Sequence, residues 1–298
     1  MPFEHRPTTT EEASQILARC GRAHMLGAGF LASLEADPEI RLSKPICKVM
    51  VLMIRHQLES LDAAVALTKY GRPQFVSVLT RGTYETYLNI LAIGWLRQTI
   101  GRVTYKPSYS ARRFIAFWNI ASLKQDRDVE RSDVAWLRLG MDASFAMHRR
   151  RLLRRRALAA QRTYFGFSEN SSSWFHASFK TLFEALWKDI GTQPCFPPEL
   201  FPLPDGFADW QALKGMCWGR DSNQVHASIM GLTSRPDDRR DVWPSLNPVC
   251  DYTLLDHAWM LSLISIRAAA AAIGRLELFD RLAEFVDKDP ISSLHYLR

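Results

Sequence analysis

Long apolar runs are missing from this 298-residue chain. Its most apolar windows, LNILAIGWL at 88–96 and WMLSLISIRAAAAAIG at 259–274, are too short or are interrupted by Arg267, whereas a bilayer span needs about 20 apolar residues in a row. Both read as core helices. The opening MPFEHRPTTTEEASQ has charges but no apolar stretch behind them, so it does not spell a secretory signal, and a cytoplasmic protein without a membrane partner is expected. Cysteine is sparse: Cys20, Cys47, Cys195, Cys217 and Cys250 are odd in number, scattered, and never in a C-x-x-C pair. That pattern argues against a disulfide framework and against a zinc site. Runs of alternating apolar and polar residues are lacking too, which argues against a sheet. No H-E-x-x-H, G-x-S-x-G or P-loop spelling occurs, and Gly27-Ala28-Gly29 lacks the third glycine and the preceding strand that a dinucleotide loop requires. Neither a cofactor nor a metal is expected.

What the chain does have is a globular composition and an uneven charge. Hydrophobic residues make up 47%, with 9 Trp and 16 Phe, far from the disordered class. The formal net charge is +7, and nearly all of the excess lies in residues 127–162, where ten Arg face only Asp128, Glu130, Asp133 and Asp142. Such a concentration is the footprint a phosphate backbone would call for. Only 9 of the 38 basic residues are Lys, a skew toward Arg that a GC-rich genome also produces with no partner involved.

Helical punctuation runs through the chain. Thr9-x-x-Glu12 spells a capping box, and the apolar residues after it suit a helix ending near Asp37-Pro38. The next helix should begin at Lys44-Pro45 and reach Tyr70, with Gly71 as its C-cap and Pro73 opening another. This predicts a long antiparallel αα-hairpin over 54–96. Further helices are predicted at about 110–124, 127–162, 172–191, 207–232 and 249–286. The expected fold is all-α, a multi-helix bundle built on that hairpin. It forms one elaborated domain, 1–298, with a sub-division into 1–191 and 207–298 joined by the loop at 192–206, which holds five prolines.

Three constellations carry chemistry. The first is Arg220-Asp221-Ser222-Asn223-Gln224-Val225-His226, an Arg and a His with five residues between them and a polar residue directly after the Arg. An imidazole can take or give a proton near neutral pH, and a guanidinium offers a bidentate fork to a phosphate. At 100° per residue the two lie about 240° apart on a helix, so they share a site only if the helix starts or bends between them, and Gly219 provides for that. The bland reading makes Ser222 and His226 an i,i+4 pair inside a polar seam. Arg19-x4-His24 fits the same loose spacing without the polar follower.

The second constellation is Arg81 and Glu85, i,i+4 on an apolar helix, which should reach the interior and pair there. The third is the run from His148 to Arg156, where Arg150, Arg151, Arg154 and Arg155 form one exposed stripe and Leu152 and Leu153 turn toward the body. A stripe of that kind either holds RNA or DNA phosphates or is simply a solvated helix face. His176 and His257 read as ordinary helix residues.

In an all-α setting, the R-x(4–6)-H block with Asp221 after its Arg resembles the HEPN superfamily of small helical domains, many of them ribonucleases of toxin–antitoxin and phage-defence systems. The resemblance implies a metal-independent endoribonuclease with Arg220 and His226 as the catalytic pair and Asp221 orienting them. It also implies a 2′,3′-cyclic phosphate product and a site shared by two protomers of a homodimer. The hairpin with its glycine turn and R-x-x-x-E helix is similar to several uncharacterised bacterial helical families, which raises a cavity where Arg81, Glu85 and Asn223 stand beside Arg220 and His226. RNA is the expected partner, with an acidic antitoxin or another defence protein as a second. The alternative is a non-enzymatic interaction or regulatory subunit of a defence assembly that binds nucleic acid.

Overall fold

Thr9 caps the first helix of the computed structural model, which describes residues 9–37, 40, 44–70, 75–131, 143–168, 171, 173–192 and 252–288. Its hydroxyl accepts from the Glu12 amide while the Glu12 carboxylate accepts from the Thr9 amide, the reciprocal box that the spelling predicts. The helix, α1, runs Thr10–Ala36. After it come α2 (Pro45–Lys69), α3 (Val76–Trp95), α4 (Pro107–Arg131), α5 (Ala143–Thr163), α6 (Phe179–Thr192), α7 (Thr253–Ala272) and α8 (Leu276–Lys288). Between α3 and α4 sits a two-stranded antiparallel ribbon, Thr99–Ile100 against Val103–Thr104, turned at Gly101 with φ 62°. Among the described residues the chain is all-α apart from that ribbon, as its sequence predicts, and no described helix is long and apolar enough to cross a membrane.

Contacts divide the chain into two compact units, one of residues 1–41, 50–91 and 194–298 and the other of 42–49 and 92–193. In the first, α1 buries Ile16, Leu17, Cys20, Ala23, Leu26, Phe30 and Leu34, a three-and-four spacing that keeps one stripe inward. Leu61, Ala64 and Val65 of α2, Val76 of α3, and Leu255 and Ala258 of α7 close over the upper part of that stripe. Lower down, Phe30 meets the Phe279 ring edge-on at 5.8 Å. Gly27 lets two side chains pack on bare backbone: a Cβ there would lie 2.6 Å from the tip of Leu58 and 2.9 Å from that of Ile266. Of the two glycines in Gly27-Ala28-Gly29, which lie within α1, only Gly27 faces packed neighbours. Across the turn between α2 and α3, the Gln57 amide donates to the Thr83 carbonyl at 3.1 Å, which ties the two arms of the hairpin together.

The single helix predicted over 249–286 is two. Gly274, at φ 71°, breaks it, and the Gly274 and Arg275 amides turn back to the carbonyls of Ala271 and Ala270. Arg275 then donates to Asp37 at 2.8 Å, holding the break against the end of α1.

In the second unit, Ala116, Ile120 and Leu123 of α4 pack on Ala157 and Ala160 of α5, with Phe167 closing the end. Two boundaries here differ from those predicted. Helix α4 continues through 125–126 to Arg131, since nothing in Gln125-Asp126-Arg127 breaks a helix. The helix predicted from 172 begins only at Phe179, where Ser178 accepts from the Thr181 amide. Trp174 and Phe175 are both buried, and their rings lie 6.0 and 4.7 Å from that of Tyr105. Adjacent residues on a helix point 100° apart, so burying both against one ring takes a bend instead.

Candidate functional site

Arg220, Asp221, Asn223 and His226 lie outside the described residues, and so does Gly71. The second match to the loose Arg–His spacing is accounted for structurally. Arg19 pairs with Asp256 at 3.5 Å, and His24 Nδ1 lies 3.0 Å from Asp62, so the two side chains serve separate contacts in the α1 packing.

Arg81 and Glu85 do form the predicted ion pair, Nε to Oε1 3.2 Å, but they do not both reach the interior. The Arg81 side chain is 19% exposed and that of Glu85 41%. Helical geometry explains it: Thr80, Tyr84, Tyr87, Leu88 and Leu91 define the buried stripe of α3, and at 100° per residue Glu85 falls on its flank. A pair at such a rim stabilises by less than about 1 kcal/mol.

The arginine run on α5 is the strongest electrostatic feature among the described residues. Arg149, Arg151, Arg154, Arg155 and Arg156 are exposed, whereas Arg150 is half-buried, and so the predicted stripe of four is a stripe of three with a fourth member at the seam. Its position decides this. Arg150 is seven residues from Ala157, two helical turns, and shares the face on which α5 packs against α4. Leu153 turns inward as predicted and packs with the α4 cluster. Leu152 does not: it is 39% exposed, because one residue along the helix rotates it away from the seam. An exposed leucine between arginines leaves an apolar step on a cationic surface.

Pattern reading missed one functional-looking side chain altogether. Arg113 of α4 is fully buried, with Nε donating to the Trp174 carbonyl at 2.7 Å and Nη1 to the Phe165 carbonyl at 3.0 Å. Its guanidinium carbon stands 4.1 Å from the centroid of the Phe167 ring. Two carbonyls and one aromatic face thus replace the carboxylate that a buried cation ordinarily needs. The signal was present in the register: positions 113, 116, 120 and 123 follow one helical face, three of them apolar and core. An arginine in an apolar register has to be either wrong or internally satisfied, and here it fastens Phe165 and Trp174 onto α4.

Burial also governs the titrating groups. It pushes the Cys20 thiol up to about 12, with the Asp256 charge adding to the effect, and it raises the Tyr105 phenol, against the opposing hydrogen bond from the His176 amide. Neither is poised for acid–base chemistry near neutral pH. Among the described residues, no group of three His, Cys, Asp or Glu side chains is arranged to hold a metal ion. Compared with family models, with curated proteins and with solved structures, the chain matches none.

Proposed function

We propose that this chain is a HEPN-like, metal-independent endoribonuclease acting in phage defence or toxin–antitoxin growth arrest. RNA is held on the arginine face of α5 and cut by Arg220 and His226, with Asp221 orienting them, in a site shared by two protomers. One observation carries the RNA part of this reading: α5 presents five exposed arginines within eight residues while its opposite side is packed on α4. A face of that kind attracts a phosphate backbone without regard to sequence. The cleavage part rests on chemistry. His226 would remove the proton of a ribose 2′-hydroxyl, the freed oxygen would attack the adjacent phosphorus, and Arg220 would meet the charge that builds on the phosphoryl oxygens. Atoms balance as the 5′-oxygen leaves with a proton and a 2′,3′-cyclic phosphate remains.

The test is to incubate purified protein with a labelled structured RNA in EDTA, comparing wild type with Arg220→Ala and His226→Ala. Cleavage by wild type, lost by at least a hundredfold in both variants, with a cyclic phosphate end, is the expected outcome (general acid–base catalysis alone contributes roughly 10²–10⁴-fold). Intact RNA with wild type overturns the nuclease. If the RNA nevertheless binds and the α5 arginines are needed for it, the chain is a nucleic-acid-binding subunit of a larger assembly.

A further inference from the structure

We infer that Phe165, Arg102 and His176 form a site for one unpaired nucleotide of a single-stranded RNA, the base laid on Phe165 and its phosphate taken by Arg102. The inference rests on the reading that α5 holds RNA, and it names the form of RNA that the surface selects. Phe165 follows the last residue of α5, Thr163, by two positions and is 48% exposed. Arg151, Arg155 and Arg162 lie within about 40° of one another around α5, at 100° per residue, over a rise of roughly 16 Å. All three are exposed, so a cationic row ends three residues before an exposed ring.

That ring has polar company. The Arg102 guanidinium carbon lies 5.6 Å from its centroid, and the His176 imidazole stands edge-on to it at 5.1 Å and 80°. Arg102 and His176 are exposed, and Arg102 has no carboxylate partner among the described residues. A guanidinium, an imidazole and a half-exposed aromatic ring within reach of a single nucleotide make up the set that sequence-tolerant binders of single strands use: stacking for the base, charge for the backbone.

The backbone beneath two of the three, Phe165 and His176, is also held in place before any ligand arrives. The Phe165 carbonyl accepts from buried Arg113 at 3.0 Å. The His176 amide donates to the Tyr105 hydroxyl at 2.8 Å. Gly166, at φ 80°, lets the imidazole rest on bare backbone: a Cβ there would lie 2.2 Å from His176 Nδ1. The main chain that carries both rings is therefore anchored, which lowers the entropy lost on binding. A base within a duplex has both faces covered by its neighbours, so the ring can serve only an unpaired one.

The experiment measures anisotropy of a fluorescent 12-nucleotide single-stranded RNA and of the same sequence in a duplex, with 2-aminopurine placed along the single strand to report stacking. Wild type is compared with Phe165→Ala, Phe165→Trp and Arg102→Ala, each shown by circular dichroism to be folded. Expected are a five- to hundredfold weaker hold on the single strand for Phe165→Ala, corresponding to about 1–3 kcal/mol for one stacked base, and loss of its 2-aminopurine quenching. Phe165→Trp should retain both, Arg102→Ala should weaken the single strand, and duplex binding should be unmoved in every variant. Wild-type affinity and quenching in Phe165→Ala, with binding still lost on reversing the α5 charges, overturns this site and leaves the α5 reading standing. No binding of either RNA by wild type at low salt removes both.

Discussion

Arg113 shows how one side chain can organise a segment with no regular structure of its own. The described residues between Thr163 and Phe179 follow no helical or strand ladder, yet Trp174 and Phe175 are buried and Phe165 is positioned, because the fork of a single guanidinium takes two of their carbonyls. Replacing Arg113 by Met keeps volume but leaves both carbonyls bare, at about 1–3 kcal/mol each. Urea unfolding should show a correspondingly lower midpoint for Arg113→Met, and a smaller but clear loss for Arg113→Lys, whose ammonium lacks the fixed fork. A midpoint unchanged in both variants would remove this role. Little of it was legible beforehand. The doublet Arg112-Arg113 looks like two surface charges, and only its phase against Ala116, Ile120 and Leu123 sets Arg113 apart.

At the level of elements, α1 and α2 begin where the sequence puts them, since both starts are written in local chemistry: a reciprocal box at Thr9 and Glu12, a proline at the first position of α2. The ends set by tertiary demand were not legible. The start of α6 is delayed by two aromatic residues that must share Tyr105, and the break at Gly274 is fixed by a bond to Asp37 some 238 residues away in sequence. The same reasoning sharpens the expectation for α5. If its face holds phosphates, the dependence of log K on log salt concentration should flatten by about 0.7 for each lost contact to a single strand. Arg151→Gln and Arg155→Gln should each flatten it, while Arg150→Gln, at the seam with α4, should change it much less. Titration of binding against potassium chloride would read this directly, and equal effects at all three positions would rule out the ordering.

Across the whole molecule, several buried acids titrate in one direction. Cys20 is raised from 9.0 to about 12 by burial, and Tyr87, Tyr105 and Tyr164 are raised by burial as well. Each keeps its proton in the folded chain at a pH where the unfolded chain has begun to lose it. Their stabilisation is complete below about pH 9 and is lost as the pH rises toward the folded values. Urea midpoints should therefore hold from pH 8 to about 9 and fall from there to 10.5, and Cys20 should resist thiol reagents at pH 8 until the protein is unfolded. A profile flat up to pH 10.5, or rapid labelling of Cys20 itself in the native chain, would contradict this. The all-α class was legible from the composition and punctuation. The chemistry of the block at 220–226 remains a matter of residue types and spacing, since His226 and Arg220 lie outside the described residues.

The first unit is assembled from pieces far apart in the chain, and that has a cost during synthesis. Helix α1 is finished more than 200 residues before α7 and α8 leave the ribosome, a delay of roughly ten to forty seconds at common elongation rates. Throughout it, Phe30 lacks Phe279 and Asp37 lacks Arg275. The nascent amino-terminal helix is thus a natural client for holding chaperones, and a chain cut short before residue 253 would leave the part of that greasy stripe that α7 and α8 cover open for good.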